Sequence, residues 1–163
     1  MIIGGVFGIF QYLEHKNDVR IERSMTFVER FQDNTVTLSA RKNLSQSIDG
    51  KIDELNALLS NKDLKAEELS ALFDAEIVKL VKQDVLTEHL KHIFTFYEQL
   101  VYCVEMELCD RDVADMFFET EAKSLIRTYY PYICYIRKEW HNTEVYASIV
   151  RFYIGENSEI CRE

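Results

Sequence analysis

Chain breakers are scarce: 5 glycines and a single proline, Pro131, are spread over 163 residues. A β-sandwich or barrel turns about every 8–12 residues and relies on Gly and Pro at many of those turns, so both architectures are excluded. Signature loops are also missing. There is no Gly-rich phosphate loop, no Walker lysine, no Gly-x-Ser-x-Gly turn and no Cys-x-x-Cys or paired Cys/His spacing. The nucleotide-binding, hydrolase and zinc-ribbon classes built on those patterns therefore have no handle here. Positive charge is in deficit, with 19 Lys+Arg against 28 Asp+Glu and a net charge of −9. The deficit is uneven: residues 1–60 carry 7 against 8, and the remainder 12 against 20. An acidic surface of that kind repels phosphate backbones, which disfavours nucleic acid as a partner.

What is present is an ordinary globular balance, 47% hydrophobic and 29% charged, in a length that suits one domain with a real core. Helix formers dominate, so the fold expected is all-α, an irregular bundle of about five to seven helices with a long N-terminal helix. Residues 1–31 read as an apolar-to-amphipathic helix and 32–163 as a single helical domain. Ile21, Met25, Val28 and Phe31 continue the first helix at helical spacing among alternating charges. A helix over about 36–60 follows, and Asp63 is placed to cap one running from 64 to about 82. Leu86, Leu90, Ile93, Tyr97, Leu100, Val104 and Leu108 mark a core helix over about 85–108. Asp112 is the expected cap of the next. Ala114, Phe118, Ala122, Leu125, Tyr129, Ile133, Ile136 and Trp140 keep one face through Pro131, which predicts a kinked helix or two nearly collinear ones. Asn142 would cap a last helix that stops at Gly155. The four cysteines, Cys103, Cys109, Cys134 and Cys161, read as reduced and mostly buried thiols of a cytoplasmic domain, with no disulfide framework.

Three groups of side chains invite chemistry. His89 and His92, at i and i+3 in EHLKH, could share a metal if other helices gave carboxylates; no Glu-x-x-His stands on that helix, and partly buried helix histidines are the plainer reading, so no metal and no cofactor are implied. Glu98, Glu105 and Glu107 read as a solvated face rather than an acid/base pair. The run TYYPYICYIRKEW is dense in aromatics: Tyr129 falls inward, while Tyr130, Tyr132 and Tyr135 are candidates for an oligomer or partner surface.

Arg137 and His141 near the end of an all-helical domain resemble the paired Arg and His of the HEPN ribonucleases, which act at a dimer interface on RNA. That resemblance implies a metal-independent ribonuclease of a toxin or defence system. Three residues separate the pair here, fewer than in that family's pattern. Over a longer stretch, FTFYEQLVYCVEMELCDRDVADMFFETEAKSLIRTYYPYICYIRKEW is similar to a group of uncharacterised bacterial proteins, some from prophages. Tyr97, Glu98, Asp112, Pro131, Arg137 and Trp140 carry the match, together with IIGGVFGIFQYLEHK. The resemblance implies a short N-terminal membrane helix and an all-helical cytoplasmic domain, with no activity attached.

The first 13 residues, MIIGGVFGIFQYL, lack any charged side chain. As a helix they span roughly 20 Å against a hydrocarbon core of about 30 Å, too short for a comfortable crossing. They lack a basic start and a small-residue cleavage site, which argues against a signal peptide. A helix dipping into one leaflet, a spanning helix that starts upstream, and a helix buried against a partner all remain open. Gly4 and Gly8 have the spacing that lets two helices approach closely. The function expected is a non-enzymatic, membrane-associated helical interaction module. It would self-associate or bind a protein partner, reach the membrane through residues 1–13, and lie in the cytoplasm or on the cytoplasmic face of the inner membrane.

Overall fold

The computed structural model describes residues 3–60, 65–83, 86–155 and 161, with side chains from residue 9 onward except at 10, 54, 58 and 59. Among these, seven helices and no strand are found: α1 (Ile3–Asp33), α2 (Thr35–Asp49), α3 (Ile52–Leu59), α4 (Ala66–Gln83), α5 (Thr87–Glu105), α6 (Arg111–Glu139) and α7 (Ala147–Ile154). The all-α bundle with a long first helix is as the composition requires.

Helix α5 is the central strut. Leu90, Ile93, Phe94, Phe96, Tyr97, Leu100, Val101 and Val104 are all buried along it, and it packs on α2, α6 and α7. Eight buried positions exceed one stripe, as expected of a helix enclosed on most sides. Around Tyr97 the rings of Phe31, Phe96, Phe118 and Tyr153 meet at centroid separations of 5.6–6.5 Å, joining α1, α5, α6 and α7. Those distances suit the offset and edge-on arrangements that aromatic quadrupoles favour. Arg41 of α2 lies over the Phe31 ring and grips Glu121 of α6 with both ends of its fork, at 2.7 and 2.8 Å. That pair bridges two helices at the edge of the core.

Local chemistry explains where helices stop. Asn34 leaves helical geometry, and its side chain accepts from the N–H groups of Val36 and Thr37, which ends α1 and starts α2. The helix expected over 36–60 is divided at Gly50 and Lys51 into α2 and α3. The expected cap Asp63 lies outside the described residues; α4 begins at Ala66, with Glu68 accepting from the Lys65 N–H. Asp110, not Asp112, caps α6 by accepting from Val113. Spacing alone could not separate the two, since the choice depends on which of them is extended. Pro131 sits within an uninterrupted α6. Leu125 is only partly buried and Ile126 takes the core position, while Trp140 is exposed just beyond the helix. Leu108, expected on the core helix, is likewise exposed beyond the end of α5. Asn142 accepts from the Glu144 N–H in a turn, and α7 starts only after Tyr146, which is left-handed at φ 56°.

The cysteine expectation is corrected. Cys103 is bonded to Cys109 and Cys134 to Cys161, so among the described residues no free thiol is left. Spacing hid the first pair. Six residues in a continuous helix set two cysteines about 9 Å apart, but α5 ends at Glu105 and the chain doubles back through Glu107 at φ 56°. The two Cα atoms thereby come within 5.1 Å, inside the range a disulfide bridges.

Candidate functional site

The lower half of α1 is held to the bundle by a polar joint. Ser24, fully buried, gives its hydroxyl to the carbonyls of Arg20 and Asp110 and accepts the Asp110 N–H at 2.8 Å. The Arg20 guanidinium donates to the Cys109 carbonyl at 3.3 and 3.4 Å. Val28 and Phe31 then enter the core. Above Arg20 this packing stops: the side chains at 9 and 11–18 are all exposed.

At 100° per residue, Ile9, Tyr12 and Leu13 share the face that carries Arg20, Ser24 and Phe31 lower down. The face that docks α1 therefore continues beyond the bundle, past exposed Lys16, to an apolar group that is 54–66% exposed at those three residues. Glu14, Asp18 and Glu22 lie on the opposite side. The joint adjoins the α5–α6 turn, where Tyr102, Met106 and Leu108 are exposed. That apolar group and the apolar residues of this turn are exposed surface of the kind that marks a protein or membrane contact. Gly4 and Gly8 fall on the α1 backbone, but their surroundings lie outside the described residues. Among those residues, no helix is long and apolar enough to cross a membrane.

The other candidates have local roles. His89 Nε2 is 2.8 Å from Asn43 Nδ2, and His92 Nε2 is 3.0 Å from Thr37 Oγ1, so both imidazoles stitch α5 to α2. Among the described residues no three His, Cys, Asp or Glu gather as metal ligands. Tyr132 is buried, with its hydroxyl on Thr87; Tyr135 stacks on it and lies beneath the Lys82 ammonium at 3.8 Å. Tyr130 is half-buried against the core. These rings tie α6 to α4 and α5, and part of Tyr135 borders an open apolar hollow with Val78 and Ala75. Glu98 is half-buried, and burial raises its carboxyl above the usual range while the Ser148 hydroxyl opposes the rise.

Arg137 and His141 are not brought together. Arg137 is 6% exposed and gives Nε to the Val145 carbonyl at 2.9 Å, while His141 is exposed beyond the helix with Nδ1 3.3 Å from the Glu139 carbonyl. Burial of the arginine was not legible from its helical position, one turn before a polar end.

Fold and surface thus define a disulfide-bonded helical bundle with an amphipathic helix that runs on past the body. The chain belongs to the family described as Domain of unknown function (DUF4760), whose model matches residues 1–154. No curated protein and no solved structure gives a significant match.

Proposed function

We propose that this chain is a non-enzymatic, membrane-associated helical interaction module. The observation that carries the reading is the exposed group Ile9, Tyr12 and Leu13, in line with the docked face of α1, with exposed Met106 and Leu108 on the turn where that face docks. An amphipathic helix with one apolar face and a charged back binds at a bilayer interface by burying that face. Apolar and aromatic side chains around its base suit the same boundary. Gly4 and Gly8 would let two copies of the helix approach once concentrated on the membrane, and the acidic body would remain available to a protein partner.

With both cysteine pairs bonded, the disulfides favour an oxidising compartment over the cytoplasmic face that reduced thiols imply.

The test is co-sedimentation of the full chain with phosphatidylcholine vesicles, with and without phosphatidylglycerol. The wild-type chain should pellet with vesicles, and Ile9→Asp/Leu13→Asp should lose at least about tenfold in partitioning, since each change replaces apolar burial with a charge. The thermal midpoint should stay unchanged because both side chains are exposed. Equal partitioning of the two proteins would overturn the membrane reading.

A further inference from the structure

Among the described residues, Arg137 is a buried cation with no anion beside it. Of its five N–H hydrogens, the one on Nε is used on the Val145 carbonyl; among the described residues Nη2 has no partner and no carboxylate forms an ion pair with it. Burying a guanidinium in that state is costly. Its remaining neighbour is sulfur: Nη1 lies 3.9 Å from Cys161 Sγ, and Cys134, bonded to that sulfur, sits one turn earlier on α6. A disulfide sulfur is a weak acceptor, whereas a thiolate carries a full negative charge and takes up a guanidinium as a strong charge-assisted partner.

We propose that Cys134–Cys161 is a redox-active disulfide that exchanges with small dithiols, and that Arg137 is the positioning residue that holds Cys161 as a thiolate once the bond opens. Both cysteines are half-buried, so an external thiolate can reach the pair. Attack on Cys134 Sγ forms a mixed disulfide and expels Cys161 as the thiolate, the better leaving group beside the cation. The second sulfur of the dithiol then displaces Cys134, which takes up a proton as it leaves. The dithiol gives up two electrons and two protons. Both electrons pass to the protein sulfurs, one proton ends on Cys134 and the other goes to solvent. The Cys103–Cys109 pair differs: Cys109 is fully buried, and the nearby Arg20 donates to its carbonyl rather than its sulfur.

The experiment equilibrates the full chain with graded ratios of reduced to oxidised dithiothreitol, then quenches, alkylates and maps each cysteine by mass spectrometry. Arg137→Met should favour the disulfide about tenfold over wild type, and Arg137→Lys should recover most of the difference because it keeps the charge. Independently of any variant's folding, Cys161 in the reduced wild-type chain should react with iodoacetamide at neutral pH about tenfold faster than Cys134. Unchanged equilibria in Arg137→Met, or equal alkylation rates for the two cysteines, would overturn the proposal.

Discussion

Tyr97 is fully buried, and among the described residues its hydroxyl has no hydrogen-bond partner. Burial, with Glu121 and Tyr153 adding and Arg41 opposing, pushes its ionisation far above the usual phenol range. An unsatisfied buried hydroxyl costs about 1–3 kcal/mol, so Tyr97→Phe, which keeps the ring, should be neutral or stabilising by about 1 kcal/mol in urea unfolding. Glu98 gives the opposite kind of signal, one that depends on pH. Its raised folded value means the folded state holds the proton more tightly than the unfolded chain does. That contribution is complete below the unfolded carboxyl value and is lost as pH rises through the folded one. Glu98→Gln cannot titrate. Its thermal midpoint relative to wild type should therefore be higher at pH 7 than at about pH 4, and a difference that does not change with pH would refute the assignment.

At the scale of elements, α1 and α5 end for different local reasons, whereas α6 does not end where its proline would stop an isolated helix. Helix α1 gives way to α2 where Asn34 takes over two N–H groups, and α5 ends where Met106 and Glu107 turn the chain into the Cys103–Cys109 bridge. Helix α6 persists through Pro131 because Ile126, Tyr129, Tyr132, Ile133 and Ile136 stay buried on both sides of it. Tertiary burial outweighs a defect of about 3 kcal/mol in an isolated helix. Pro131→Ala should raise stability by about 1–3 kcal/mol in the same unfolding assay, with no change in helical circular dichroism beyond the residues around 131. Helix α1 shows the reverse case: its docked half is held by Ser24, Val28 and Phe31, and its upper half has nothing described against it. The two halves should thus separate in hydrogen exchange, the upper amides exchanging fast and those after Ser24 slowly.

For the whole molecule, the two disulfides divide labour by loop length. Cys134–Cys161 spans 27 residues and ties position 161 to α6, whereas Cys103–Cys109 spans 6 around one turn. Chain-entropy reasoning gives about 3–4 kcal/mol for the longer loop and about 2 for the shorter. The double variant Cys134→Ser/Cys161→Ser should therefore lower the thermal midpoint more than Cys103→Ser/Cys109→Ser, and a reversed order would show that native-state packing rather than loop closure dominates. Such bonds supplement a core already built by α5, so the bundle should keep its helical content when reduced.

Composition and periodicity by themselves determined the all-α class, the long first helix, the placement of α5 and most of the α6 core face, because helix formation and burial on one stripe are local in sequence. Val28, Phe31, Leu90, Tyr97, Phe118 and Ile133 were legible for that reason. The apolar start of α1 was legible too, as a stretch without charge, though not that its face aligns with the docked one below. Only the tertiary structure decided the pairing of the cysteines, the exposure of Trp140, the roles of His89 and His92 as ties to α2, and the burial of Arg137 beside Cys161. The histidine ties, the Arg137 contact and the Cys134–Cys161 bridge join residues 24 to 55 positions apart, and Cys103–Cys109, only 6 apart, depends on the turn that ends α5. A helical period fixes the direction of a side chain around its own axis and carries no information about what another helix will set against it.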